Sequence, residues 1–213
     1  MTGLFITLEG GDGSGKSTQS ALLATWLEEH GHTVVLSREP GGTELGLELR
    51  DIILHRRGYI DPRAEALLYA ADRAHNIATK VRPALERGDV VLQDRYIDSS
   101  VAYQGAGRVL DPAEVRDVSF WATEGLLPDL TILLDLDERV SQERLKDRTK
   151  YDRLEEEKQE FHARVRAGYL ELAAAEPERF LVLQATDSVE SLAGVIRERV
   201  AELLAGASTE QPQ

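Results

Sequence analysis

Residues 10–17 read Gly-Gly-Asp-Gly-Ser-Gly-Lys-Ser, the pattern G-x-x-x-x-G-K-S. The apolar run Leu4–Leu8 precedes it and an amphipathic stretch follows. Strand, glycine loop and helix in that order are the context in which this pattern binds phosphate. The glycines (Gly10, Gly11, Gly13, Gly15) let the backbone fold tightly enough for successive N–H groups to point inward as an anion nest. The helix starting near Lys16 adds its positive N-terminal dipole. Lys16 is placed to bridge the outer phosphates of a nucleotide, and Ser17, followed by Thr18, to ligate Mg²⁺.

Further groups of this kind stand where other strands should end. Arg38-Glu39-Pro40-Gly41-Gly42-Thr43 puts a guanidinium, a planar fork suited to phosphate, next to a sharp turn. Asp94-Arg95 closes the run Val90–Gln93, and an acid there can hold Mg²⁺ directly or through water. Glu9 abuts the phosphate loop, where a carboxylate suits either metal-bound water or a structural pairing. Tyr69 and Arg73 lie one helical turn apart and share a face. Spacing alone fits a core tyrosine beside a surface ion pair better than a pair gripping a base and its phosphate. Ser99-Ser100-Val101-Ala102-Tyr103-Gln104-Gly105 offers hydroxyls and an amide able to read a base and a sugar.

Five short, nearly continuous apolar runs must carry these groups: Leu4–Glu9, Thr33–Ser37, Val90–Asp94, Thr131–Asp135 and Phe180–Gln184. Such runs read as strands covered on both faces. Helical patterns alternate with them, which predicts an α/β three-layer fold with a five-stranded parallel sheet. Asp111-Pro112-Ala113-Glu114 supplies an N-cap, a first-turn proline and a capping-box acid. The stripes Phe161, Val165, Tyr169, Leu172 and Val189, Leu192, Ile196, Val200, Leu203 read as core-facing. Residues 1–205 are expected to form one domain, with a charged lid at about 146–156 and a polar tail at 206–213.

The chain has 213 residues, no cysteine, 25 Lys and Arg, and 38 Asp and Glu, for a net charge of −13. No apolar run approaches the ~18 residues of a membrane span. Disulfides and thiolate zinc sites are excluded. The acidity argues against nucleic acid as a partner and requires local cations wherever phosphate binds. The start of the chain lacks the pattern of a signal peptide, so a soluble, cytoplasmic protein is expected.

Taken together, the blocks Gly10–Ser17, Arg38–Thr43, Tyr69–Arg73, Asp94–Tyr96 with Ser99–Gly105, and Asp152-Arg153 resemble bacterial thymidylate kinases from Leu4 to about Leu204. The first block is shared by many phosphate-loop NTPases; Arg-Glu-Pro-Gly-Gly-Thr and Ala-Tyr-Gln-Gly are far more specific. The resemblance implies transfer of the γ-phosphoryl of ATP to dTMP. It implies that Arg38, Arg73 and Arg95 hold the acceptor's phosphate, with Pro40 and Ser99 beside them. Ser100 and Gln104 would address thymine, and Tyr103 the deoxyribose. Ala185-Thr186-Asp187 would lie near adenine, and the protein would be a homodimer. Two departures stand out. Tyr69 replaces the family's stacking phenylalanine. The phosphate loop carries Asp12 in place of an arginine, which implies a catalytic cation from the lid: Arg153, Arg148 or Lys150. Alternatives are a kinase for another nucleoside monophosphate and a nucleotide-dependent switch. A guanine-reading Asn-Lys-x-Asp is absent, since Asn76 is the only asparagine and Ile77 follows it.

Overall fold

A computed structural model describes residues 3–146 and 152–209. Five parallel strands form one sheet: β1 (Leu4–Glu9), β2 (Val34–Arg38), β3 (Val90–Asp94), β4 (Leu130–Asp135) and β5 (Phe180–Gln184), in spatial order β2-β3-β1-β4-β5. The chain fills one side of β1 with β3 and β2, then crosses to the other side for β4 and β5. Their carboxyl ends therefore converge around the end of β1, the place where open α/β sheets bind ligands.

Alternation along the strands sends side chains to two cores. Ile6, Leu8, Val90, Leu92, Leu130, Ile132 and Leu134 pack beneath α1 (Lys16–Glu29) and α9 (Val189–Thr209), against Leu23, Leu27, Ile196 and Val200. Phe5 and Val91 face the opposite layer with Ile77, Val81 and Leu85. On that layer Leu133 joins Tyr69, Tyr103, Phe161, Val165 and Tyr169. The stripe on α8 (Gln159–Ala175) is thus core as its spacing predicts, although Tyr169 also reaches the site. On α9, Val189 is exposed while Leu192, Ile196 and Val200 are buried. That helix continues through Thr209, beyond the expected start of the tail at Gly206.

Caps set the helix starts. Thr43 caps α2 (Glu44–His55) by accepting from Gly46 N at 3.0 Å, and Asp61 caps α3 (Pro62–Asn76) by accepting from Arg63 N at 2.9 Å. A π-helical turn (Ile77–Val81) joins α3 to α4 (Arg82–Arg87). Asp111 caps α6 (Pro112–Thr123), but Glu114 pairs with Arg63 at 3.3 Å, in place of the expected capping-box contact. After β3, the short α5 (Ile97–Ser100) runs into a second π-helical turn, Val101–Gly107. The short α7 (Glu138–Leu145) follows β4. No helix among the described residues is long and apolar enough to cross a membrane.

Candidate active site

The loop between β1 and α1 is shaped by glycine. Gly10 has φ +130°, and a Cβ there would lie 2.4 Å from Leu134 O. Gly15 caps α1 at φ 96° with no side chain on the first-turn N–H groups. Those donors are left to a ligand, as an anion site requires. Lys16 folds back over the loop, with Nζ donating to Gly10 O at 3.0 Å and Gly11 O at 2.9 Å. Burial, and then the nearby Arg95 charge, hold its pKa below the ordinary lysine value. An anion arriving here relieves both penalties.

Arg95 is the junction of the site. It follows β3 in the left-handed region at φ 67°, a conformation that costs a non-glycine residue about 1–3 kcal/mol and is retained mainly where function demands it. Its N–H is held by Leu8 O at 3.0 Å. The guanidinium reaches Asp12 Oδ1 at 2.7 Å and Gly10 O at 3.2 Å, and lies 5.0 Å from the centre of the Tyr103 ring. Burial alone would raise the Asp12 pKa; Arg95 and Lys16 outweigh it and hold the carboxyl below its usual range.

Two cavities meet at Arg95 and Asp12. The larger, about 910 Å³, is an open cleft lined by Lys16, Ser17, Thr18, Arg38, Arg50, Asp94 and Arg95. The smaller, about 80 Å³, runs inward past Pro40, Tyr69, Arg73, Ser99, Ser100, Tyr103 and Gln104. Arg38 is exposed at the end of β2 and makes no hydrogen bond or ion pair among the described residues. Arg50, which sequence reasoning missed, lines both cavities and donates to Pro40 O at 2.9 Å. Its pKa is lowered by burial first and by Arg38 second. Two cations that repel each other across a cleft mark an anion site. The only sequence signal for Arg50 is its place two helical turns after the Thr43 cap.

The inner pocket has a polar end. Arg73 is buried and uses four of its five N–H donors: Nε donates to Glu39 Oε2 at 2.7 Å, Nη1 to Ser119 Oγ at 3.0 Å, and Nη2 to Tyr96 O and Ser100 Oγ, each at 3.0 Å. It lines the inner pocket and not the open cleft. Arg73, expected to grip phosphate together with Arg38 and Arg95, is instead placed at the inner end, with its Nε tied to Glu39. The Tyr103 hydroxyl is buried without a hydrogen-bond partner among the described residues.

Three more expectations change. Glu9 is fully buried, accepting from Tyr96 N at 2.7 Å, Ser99 Oγ at 2.6 Å and Tyr169 Oη at 2.9 Å. Burial, and then Asp98, raise its pKa. It lines neither cavity, and its carboxylate here is a buried acceptor beneath the loop. Arg153 donates to Glu65 Oε2 and to Ile53 O at 3.0 Å, away from the open cleft. It therefore does not supply the lid cation in this arrangement. Arg148 and Lys150 lie outside the described residues. Ala185, Thr186 and Asp187 line neither cavity, but Arg144 ties them to the phosphate loop by donating to Gly13 O at 3.0 Å and Ala185 O at 2.8 Å.

Asp94 keeps one buried carboxylate oxygen without a hydrogen-bond partner, in the same cleft as Ser17. Ser14 Oγ, inside the loop, is likewise unpartnered.

A thymidylate kinase family model matches residues 8–196. A thymidylate kinase of Clavibacter sepedonicus is 68% identical over 98% of this chain and 100% of its own length. One from Leifsonia xyli subsp. xyli is 72% identical over 93% of this chain and 94% of its own. The crystal structure of thymidylate kinase from Ehrlichia chaffeensis superposes with a TM-score of 0.75 at 33% identity, covering 92% of this chain and 98% of that one.

Proposed function

The chain belongs to the thymidylate kinase family, and on that premise we propose how its residues divide the transfer of the γ-phosphoryl of ATP to dTMP. The observation that carries the reading is the meeting of the open cleft beside the phosphate loop and the narrow pocket at Arg95 and Asp12. A donor on the phosphate loop and an acceptor in the pocket would face each other across that junction.

Lys16, the loop N–H groups and the α1 N-terminus hold the ATP phosphates. Arg38 and Arg50 flank the acceptor phosphate, and Arg95 spans both partners. Transfer passes through a loose, highly charged transition state, so positioning and charge stabilisation are the main contributions the protein makes. Tyr69 and Tyr103 wall the pocket that takes the nucleoside, and Arg73, Ser100 and Gln104 close its base end. The Tyr103 hydroxyl faces the sugar, where a ribose 2′-OH would crowd it.

Mg²⁺ fits the residues present. Ser17 and Asp94 would hold it, and the unpartnered Asp94 oxygen is the supporting observation. Bound there with phosphate oxygens, it would neutralise charge on the β- and γ-phosphates. Ala185–Asp187 would border the adenine, beside Arg144. The segment 146–156 would serve as the lid of a single domain spanning 1–205, with the γ-phosphate cation coming from Arg148 or Lys150. The protein would act in the cytoplasm, without nucleic acid or membrane. It would work as a homodimer through α3 and α6, whose outer faces expose Leu67 (58%) and Trp121 (83%).

The test is ADP release with ATP and Mg²⁺, comparing dTMP, dUMP, dCMP, dGMP, AMP and UMP as acceptors. Preference for dTMP is expected. Turnover with another monophosphate alone would overturn the assignment of the pocket.

A further inference from the structure

Glu65 lies one turn before Tyr69 and two before Arg73 on α3, and it is fully buried. Its carboxylate gathers donors from three side chains. Gln104 Nε2 donates to Oε1 at 2.9 Å, from the π-helical turn. Arg108 donates through Nε to Oε1 at 3.2 Å and through Nη2 to Oε2 at 3.3 Å, while its Nη1 pairs with Glu157. Arg153 Nη2 donates to Oε2. Burial alone would raise the Glu65 pKa; these donors outweigh it and hold the carboxyl below its usual value.

An ionised carboxylate can only accept hydrogen bonds. Whatever amide side chain faces it must therefore present nitrogen, and its oxygen must point the other way. Gln104 lines the inner pocket, and its Oε1 has no protein partner among the described residues. We propose that Glu65 is a positioning residue for base selection: anchored by Arg108 and Arg153, its carboxylate locks the Gln104 amide so that the pocket offers an acceptor to the pyrimidine edge. Thymine and uracil carry an N3–H donor on that edge. Cytosine carries a bare N3 acceptor, which would meet the Gln104 oxygen with no proton between them. A site built around one hydrogen-bond polarity rejects the opposite polarity far more strongly than a hydrophobic pocket rejects a methyl group. The proposal rests on the thymidylate reading of the pocket and adds to it the residue that sets the polarity.

The test compares kcat/KM for dTMP and for dCMP in the wild type, Glu65→Gln, Gln104→Leu and the double variant. Glu65→Gln preserves shape but can donate as well as accept, so the Gln104 amide is free to turn over. The dTMP-to-dCMP ratio is expected to fall about tenfold or more in Glu65→Gln. In the Gln104→Leu background the same change should leave the ratio unmoved, because Glu65 acts through the amide. An unchanged ratio in folded Glu65→Gln, or equal effects in both backgrounds, overturns the proposal. A merely structural Glu65 would lower turnover of both substrates together. Should Glu65→Gln not fold, Glu65→Asp carries the test: it keeps the charge and withdraws the carboxylate from Gln104, so the ratio must again fall. A wild type that does not prefer dTMP to dCMP would instead refute the thymidylate reading itself.

Discussion

Replacing Arg95 with methionine tests the junction most directly. The wild-type guanidinium spends one short contact on Asp12 (2.7 Å) and longer Nη1 contacts on Gly10 O (3.2 Å), Ser99 Oγ and Tyr169 Oη (each 3.4 Å), leaving Nε–H and one Nη2–H for substrate oxygens. Each hydrogen bond to a charged group contributes about 1.5–3 kcal/mol. Two such contacts to phosphate are then worth ~3–6 kcal/mol, or about 10²–10⁴ in kcat/KM. Methionine fills similar space against the Tyr103 ring, so the fold should hold. The variant also leaves the Asp12 carboxylate unpaired beside incoming phosphates. Asp12→Asn in the Arg95→Met background should therefore restore about tenfold, although Asp12→Asn alone is mildly harmful through loss of the Arg95 anchor. The assay is coupled ADP release with dTMP varied at saturating ATP, then the reverse. A lower kcat with higher KM for both dTMP and ATP is expected, because Arg95 is placed between them. Arg95→Met within about threefold of wild type, the size of noise beside the 10²–10⁴ expected, would refute the placing of Arg95 between donor and acceptor.

Two other outcomes follow from buried charge and exposed surface. Burial pushes the Glu39 carboxyl up from 4.5 to about 7 despite its Arg73 partner, so between those pH values the folded state holds a proton the unfolded chain has released. Stability from this group is present below pH 4.5 and falls by about 3 kcal/mol as pH rises to 7; urea unfolding at pH 5 and 7.5 should show wild type losing stability relative to Glu39→Gln, and parallel pH dependence would count against it. Trp121→Asp on α6 should convert a particle of twice the 23.6 kDa chain mass into a monomer by light scattering, and a wild type already monomeric would remove α3 and α6 as an interface.

The strands and the phosphate loop were legible because their signals are local. Apolar runs bounded by turns gave all five strands to within a residue, as at β2, expected over Thr33–Ser37 and found over Val34–Arg38. Lys16 was legible for the same reason, since eight adjacent residues specify its surroundings. What sequence could not supply was the partner of each charge. Arg73, Arg95 and Arg153 look alike as arginines near the ends of elements. Only the fold brings Glu39 to the first, Asp12 to the second and Glu65 to the third, across sequence separations of 34, 83 and 88 residues. The partners of Glu9 were hidden in the same way. A carboxylate beside a phosphate loop suggests metal, but Ser99 and Tyr169 close over it from 90 and 160 residues away. Glu65 did leave a trace, the i, i+4, i+8 series with Tyr69 and Arg73, which a search for acids on the Tyr69 face would have found.

Those pairings also settle how a chain of net charge −13 can bind anions. Arg73 and Arg153 are held by hydrogen bonds to the buried carboxyls of Glu39 and Glu65 and contribute shape and polarity more than field. Lys16, Arg38 and Arg50 are not matched in this way, and two of them carry pKa values depressed by burial and by a neighbouring guanidinium. That depression is stored repulsion, and a phosphate placed among these groups releases it. Acidic side chains on the outer surface act from beyond the ~8 Å over which physiological salt screens charge. Within the cleft the relevant quantity is therefore the local balance of Lys16, Arg38, Arg50 and Arg95 against acids such as Asp12 and Asp94, and not the sum over the chain. An acidic surface and a site for two phosphate-bearing ligands are compatible because the fold ties Arg73 and Arg153 to buried carboxylates, while Lys16, Arg38 and Arg50 keep no direct carboxylate partner among the described residues and Arg95 keeps only Asp12.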